Sequence, residues 1–184
     1  MNLIETFQNL VAQVPELVQP LIVALAGAVP FIEGEGAVTI GILGGINPVV
    51  AAIAAVAGNF ICVMAVVLLT ARARAAVVNR QRAKAMVAAD GTLVAAEQVA
   101  AQNDGGGTRK AARREKFQRA FERYGVPGVS LLGPLLLPTM FTATMLVTVG
   151  VGKVRVLIWQ AVAIIAWTTL FALLITGVVQ FAAG

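Results

Sequence analysis

The basic residues of this chain are concentrated in one block, and that concentration is the feature that most restricts its fold. Of the 14 Lys and Arg residues among 184, 12 lie between Arg72 and Arg123. Charge-free runs flank the block at 49–71 and 156–178. At about 1.5 Å per residue, a helix of about 20 residues crosses the roughly 30 Å hydrocarbon core of a bilayer. The pattern predicts an all-α integral membrane protein with transmembrane helices at these two positions.

The composition also argues against several kinds of chemistry. The sequence has no His and one Cys, so the usual neutral-pH base and the commonest metal ligand are missing. No group of carboxylates or thiols has metal-ligand spacing, and no nucleophile-elbow or phosphate-loop pattern occurs. We therefore expect no enzymatic activity, no cofactor, no metal site and no nucleic-acid partner.

Two further apolar stretches, 17–46 and 126–152, are interrupted by proline. Proline removes a backbone donor and clashes with the preceding turn, so neither stretch is expected to form one straight helix. Half of either stretch is too short to span. We predict two re-entrant helical hairpins, which are tolerated in a membrane where protein or a watery cavity covers them. The prolines concerned are Pro20, Pro30, Pro127, Pro134 and Pro138.

Each broken hairpin is followed directly by a span, so the chain divides into repeats at 17–71 and 125–184. Arg72 and the basic residues after it predict that the end of the first span is cytoplasmic. If the second hairpin returns to its own side, Lys153 and Arg155 are cytoplasmic as well. The two repeats then have opposite orientations, which is the inverted repeat common among secondary transporters.

Two segments lie outside the repeats. Residues 1–16 have apolar residues on one face and predict an amphipathic helix at the interface or against the bundle. Residues 72–124 predict a basic cytoplasmic helical segment whose last helix, 109–124, carries aromatic residues beside its charges. That helix either contacts anionic lipid headgroups or presents a solvated face that only fixes topology. The residues proposed for headgroup contact are Arg113, Arg114, Lys116, Arg119 and Arg123.

The strongest candidate site is the sequence FIEGEG, which places Glu33 and Glu35 in an otherwise uncharged stretch. A charge at mid-bilayer costs about 2.5–3.5 kcal/mol, so a carboxylate there needs a partner, water or a proton. Gly34 and Gly36 would let the backbone leave the helix at this point. A proton or cation site is one interpretation, and an exposed turn between short segments is the other.

Other polar or helix-breaking residues extend this candidate site. Asn59 in the first span either links helices by a hydrogen bond or contacts the Glu33 region. Thr139 either satisfies a carbonyl freed by proline or lines a substrate path. The residues proposed for substrate binding or proton coupling are Glu33, Glu35, Asn59, Pro30, Pro134, Pro138 and Thr139.

These motifs resemble a known family. The segment PFIEGEGAVTIG at 30–41, followed by GINP at 45–48, resembles the first signature of the small multidrug export family. The segment RYGVPG at 123–128, with Gly133-Pro134 and Pro138-Thr139, resembles its second. The likeness covers about residues 17–180 without most of the basic loop. This family is distantly related to the DedA/VTT membrane proteins, which implies two re-entrant hairpins, a bacterial inner membrane and lipid or small-molecule translocation linked to protons.

We therefore expect a small transporter or translocator coupled to protons through Glu33. The alternative is a non-transporting accessory subunit of a larger membrane complex. Two spans are too few to enclose a pathway alone, so either function predicts a homodimer or another protein partner within the lipid bilayer.

Overall fold

The computed structural model describes residues 3–88 and 125–183, and these residues are helical with short connections and no strand. A 3-10 turn is present at Gly133–Leu135. Most of the predicted cytoplasmic segment 72–124, including the predicted helix at 109–124, lies outside the described residues. The helices are α1 Leu3–Gln13, α2 Gln19–Gly27, α3 Glu33–Leu43, α4 Pro48–Ala88, α5 Gly125–Leu135, α6 Thr139–Thr148 and α7 Lys153–Ala183.

Two of these helices, α4 and α7, are long and apolar enough to cross a membrane by length and composition. In their most apolar windows, 28% and 22% of the residues are buried inside the protein. The core helix of a soluble domain would be mostly buried, whereas these helices expose large aliphatic side chains such as Ile53, Ile61 and Leu173. Such surfaces require lipid or an apolar partner. Both helices are longer than the predicted spans.

The long helices pack antiparallel. The first turns of α4, at Ala51 and Ala55, belong to the same buried cluster as Ala172 near the end of α7. A second cluster joins Val63 of α4 to Val156 of α7. The start of one helix therefore lies beside the end of the other, and the two clusters occupy opposite halves of the pair.

The prediction that neither proline-containing stretch forms one straight helix is confirmed. The first stretch divides into α2 and α3 around Pro30, and the second divides into α5 and α6 around Pro138. Helices of 9–11 residues such as α2, α3 and α6 are about 13–16 Å long. Each short helix therefore covers only part of the length of α4 or α7.

The turns that join α3 to α4 and α6 to α7 are built alike. In the first, Ile46 N–H donates to Gly41 O and Gly45 N–H donates to Ile42 O, each at 3.0 Å. This is a Schellman motif, in which a residue with positive φ ends the helix. Gly45 takes that conformation at φ +86°, and Gly150, 105 positions later, takes it at φ +104°. The second turn repeats both hydrogen bonds at 3.0 Å, from Val151 to Leu146 and from Gly150 to Val147.

The amphipathic N-terminal helix is present as α1 and lies against the bundle. Val11 is fully buried in the cluster that also contains Val23 of α2 and Ile40 of α3, and Phe7 packs against this cluster. Leu3 and Ile4 remain exposed. The segment was predicted to lie either at the membrane interface or against the bundle. Its C-terminal half packs against the bundle.

Helices α2 and α4 approach each other closely at two glycines. A Cβ atom on Gly58 would lie 1.8 Å from the backbone oxygen of Ala24, and one on Gly27 would lie 2.8 Å from the backbone oxygen of Ala55. The obstructing atoms belong to the backbone, so no change of side-chain rotamer could make room for a Cβ. The two helices can therefore touch here only because both residues are glycine. This contact holds the first broken stretch against the long helix.

We predict that Gly58→Ala destabilises the protein by about 1–3 kcal/mol or more, the range typical of overpacking. Gly177→Ala is the matched control, because that glycine is also in a long helix and a Cβ there meets nothing within 4 Å. The control is expected to be neutral or to stabilise by up to about 1 kcal/mol. Thermal unfolding of the detergent-purified variants measures both. Equal melting temperatures for the two variants would contradict the packing of α2 on α4.

Candidate functional site

The two broken stretches meet at a hydrogen bond between Glu33 and Thr139. Glu33 is the first residue of α3 and Thr139 is the first residue of α6. The backbone N–H of Thr139 donates to Oε1 of Glu33 at 2.6 Å. Both residues are buried, with exposures of 6% and 1%. The contact joins residues that are 106 positions apart in the chain.

Glu33 acts as the cap of a helix to which it does not belong. Pro138, the residue before α6, provides no side-chain hydrogen bond to the helix. The first N–H groups of a helix have no partner inside it and carry a partial positive charge. Oε1 of Glu33 accepts the first N–H group of α6, at the positive end of that helix. The cap therefore comes from the first half of the chain and acts on a helix of the second half.

The backbone before α3 takes an unusual path. Phe31 has φ +72° and Glu33 has φ +52°, a left-handed conformation that costs a residue with a Cβ about 1–2 kcal/mol. The turn points the Phe31 ring outward, 79% exposed, and buries Glu33. The prediction that Gly34 and Gly36 break the helix is wrong, since both lie within α3 and the break precedes them. Strain of this kind clusters at functional sites.

Gly34 brings the long helices into contact with this turn. A Cβ atom on Gly34 would lie 2.1 Å from Oγ1 of Thr168 and 3.6 Å from Nδ2 of Asn59. Asn59 therefore lies in the Glu33 region, which was one of its two predicted locations. On α4, Asn59 is four positions after Ala55, the last α4 residue of the first buried cluster. On α7, Thr168 is four positions before Ala172, which belongs to the same cluster. The two side chains form a polar layer between the apolar halves of the bundle.

Several side-chain atoms of this region have no hydrogen-bond partner among the described residues. They are Oδ1 of Asn59, Oγ1 of Thr139 and Oγ1 of Thr168, together with Ser130 and Gln160 elsewhere in α5 and α7. Burying an unpaired polar group costs about 1–3 kcal/mol. A natural protein generally fills such positions with water or a ligand.

A cleft of about 430 Å³ opens beside Glu33. Two carboxylates, from Glu33 and Glu35, face it, and no Lys or Arg of the described residues lines it. The remaining walls are apolar and partly aromatic. The lining residues are Phe31, Ile32, Gly36, Pro134, Leu135, Leu136, Leu137, Pro138, Trp167 and Phe171.

Most of the residues predicted for the site are brought together. Glu33, Glu35, Pro134 and Pro138 line the cleft, while Thr139 and Asn59 lie next to it through their contacts with Glu33 and Gly34. Pro30 is exposed and does not line the cleft. The basic residues predicted to contact lipid, Arg113 to Arg123, lie outside the described residues.

Sequence reasoning missed the contribution of α7. Trp167 lines the cleft and donates its Nε1–H to the backbone oxygen of Leu131 at 2.8 Å, while its neighbour Thr168 lies against Gly34. The available signal was that Gln160 and Thr168 interrupt an apolar span on one helical face, eight residues apart. The position of Thr168 against Gly34 depends on how the two halves pack, which sequence periodicity does not reveal.

Comparison with known proteins identifies no relative: no family model, curated protein or solved structure matches the chain. The similarity to the small multidrug export family therefore stays a prediction from the quoted motifs.

We predict that Gly34→Ala and Thr168→Ala are energetically coupled. The added Cβ collides with the Thr168 hydroxyl, so Gly34→Ala alone should destabilise by about 1–3 kcal/mol. In a Thr168→Ala background the nearest atom is the Cβ at 3.4 Å, an ordinary contact distance. A double-mutant cycle from melting temperatures should give a coupling of at least about 1 kcal/mol. Additive effects would show that α3 and α7 do not meet here.

Proposed function

We propose that this protein is a small integral membrane translocator that binds an amphipathic organic cation in the cleft at Glu33 and uses that carboxylate to couple the substrate to an ion. The observation that carries the proposal is a buried carboxylate facing a partly aromatic cleft, at the point where two broken helical stretches meet. Translocators concentrate these features at the middle of the bilayer.

The membrane assignment is supported by the apolar surfaces of α4 and α7. Glu33 lies beside Asn59, which is 11 residues into α4, or about 16 Å from its start. That is about half the thickness of a bilayer's hydrocarbon core. In the proposed setting, each broken stretch enters the bilayer and returns to the side from which it came. The breaks at Glu33 and Pro138 then lie at membrane depth, where they are buried in protein or line the cleft.

The inverted-repeat proposal is supported by the matched turns around Gly45 and Gly150 and by the antiparallel long helices. Since each short helix runs back along its long helix, α3 and α6 approach from opposite ends and meet at their N-termini. The side chain of Arg74 lies close to Gly150, because a Cβ there would be 3.1 Å from its Nη2 atom. Arg74 and Lys153 are therefore at one end of the bundle, as the charge bias requires.

The substrate class follows from the lining of the cleft. Two carboxylates without a basic neighbour among the described lining residues leave negative charge to be neutralised by a ligand. Trp167, Phe171 and Phe31 present aromatic rings, which attract cations by about 0.5–2 kcal/mol each. An amine or other organic cation with apolar substituents matches both features. Glu33 alternates between this substrate and a small coupling cation, of which the proton is the simplest.

We predict that Glu33→Gln weakens binding of tetraphenylphosphonium at least tenfold. Glutamine keeps the shape and an acceptor for the Thr139 N–H, but it removes the charge. Equilibrium binding of the labelled cation to detergent-purified protein measures this loss. Glu16→Gln is the matched control, because Glu16 is an exposed carboxylate outside the cleft. It should bind as the wild type does.

Two outcomes would contradict the proposed function. One is that the wild type binds triphenylphosphine oxide, a neutral analogue, as tightly as the cation. The other is that a folded Glu33→Gln variant, judged by its melting temperature and monodispersity, retains wild-type affinity. Absence of any cation binding together with co-purification of a stoichiometric membrane partner would favour the accessory-subunit alternative.

A topology prediction accompanies this proposal. Cysteines introduced at Asn47 and at Arg72 in a Cys62→Ser background should react with impermeant reagents from opposite sides of the membrane, Asn47 from outside and Arg72 from the cytoplasm. Both positions are exposed. Labelling of both from the same side would exclude α4 as a span.

A further inference from the structure

A layer of buried polar side chains lies around Gly34, apart from the residues that line the cleft. Thr168 touches Gly34 from α7, Asn59 approaches it from α4, and Glu33 precedes it in α3. The Thr139 hydroxyl lies beside the Glu33 carboxylate without forming a hydrogen bond of normal geometry. Two pairs of polar side chains, Glu33 with Thr139 and Asn59 with Thr168, therefore adjoin the neighbouring residues Glu33 and Gly34.

These side chains are buried as completely as the apolar core. Asn59 and Thr139 are 1% exposed and Thr168 is 0% exposed. Oδ1 of Asn59 and both threonine hydroxyls have no partner within the described parts of the chain. The Asn59 amide directs Nδ2 toward Gly34, and a half-turn about χ2 exchanges it with Oδ1 at almost no change in shape. Oε1 of Glu33 accepts one N–H, which leaves the second carboxylate oxygen for another ligand.

We infer that Glu33, Asn59, Thr139 and Thr168 form a binding site for a sodium ion. Carboxylate, amide and hydroxyl oxygens are the donors that hard cations prefer. One carboxylate with three neutral oxygens balances a single positive charge, whereas calcium sites generally use more carboxylates. The small number of donors and the close approach permitted by Gly34 favour sodium over the larger potassium ion.

The position of the site gives the ion a role that rests on the proposed function. The carboxylate of Glu33 faces the cleft and also belongs to the donor set, so sodium and the organic cation share one negative charge. Binding of one neutralises the charge that attracts the other. Sodium is then the coupling ion, and it competes with the organic cation for Glu33. Asn59 and Thr168 do not line the cleft, so they contact sodium and not the organic cation.

Trp167 provides a spectroscopic reporter next to this site. The sequence has two tryptophans, so Trp159→Phe leaves Trp167 alone, adjacent in sequence to Thr168 and hydrogen-bonded to Leu131. In this full-length background we would titrate sodium chloride, potassium chloride and choline chloride at constant ionic strength. Equilibrium dialysis with radioactive sodium measures the binding directly.

The expected result is a saturable fluorescence change with sodium, at least tenfold weaker with potassium and absent with choline. Thr168→Val and Asn59→Leu keep the side-chain volume but remove the donor oxygens, so each should weaken sodium binding at least tenfold. Thr168→Val should bind tetraphenylphosphonium as the background does in sodium-free buffer, because Thr168 does not line the cleft. Glu33→Gln should lose both ligands, and sodium should raise the apparent Kd for tetraphenylphosphonium in the background protein.

The outcomes separate this inference from the proposed function. Absence of sodium binding by the background protein, equal binding of potassium, or wild-type sodium affinity in folded Thr168→Val would overturn the sodium site, even if tetraphenylphosphonium still binds at Glu33. Sodium binding that is lost in the Glu33, Asn59 and Thr168 variants, without any organic-cation binding, would support the site and reject the proposed substrate. If Asn59→Leu fails to fold, Thr168→Val alone decides.

Discussion

The hydrogen bond between the Glu33 carboxylate and the Thr139 N–H is the contact on which the arrangement of the two halves depends. Pro138 leaves the start of α6 without a cap from its own segment, and the left-handed turn at Glu33 supplies that cap from the other half. A buried carboxylate needs compensation, and an uncapped helix start needs an acceptor. Each half therefore satisfies the requirement that the other half creates, and the cleft opens beside their meeting point.

The rest of the bundle supports this contact. Gly27 and Gly58 let the backbones of α2 and α4 come into contact. This contact holds α2, the helix that precedes the strained turn, against the long helix. Matched glycine turns at Gly45 and Gly150 reverse the chain into each long helix. The apolar clusters on either side leave a thin polar layer between them. Rigid packing on both sides is what can hold a strained turn and a buried charge in a single geometry.

Much of this arrangement was predictable, because it depends on local chemistry. Charge-free length predicts α4 and α7, and the prolines predict that the remaining stretches break. The isolated carboxylates point to Glu33 as the site. Three features depended instead on packing between distant segments. These are the capping of α6 by Glu33, the placement of Thr168 against Gly34, and the left-handed turn, which neither Phe31 nor Glu33 would adopt by intrinsic preference.

The separation of Glu33 and Thr139 along the chain also has a consequence for biogenesis. At translation rates of about 5–20 residues per second, the 106 positions between them take about 5–20 s to synthesise. In the proposed membrane setting, α3 enters the bilayer first, and its carboxylate spends that interval without its donor. Water or a proton must take the place of that donor meanwhile, and the first half cannot complete the buried pairing of Glu33 by itself.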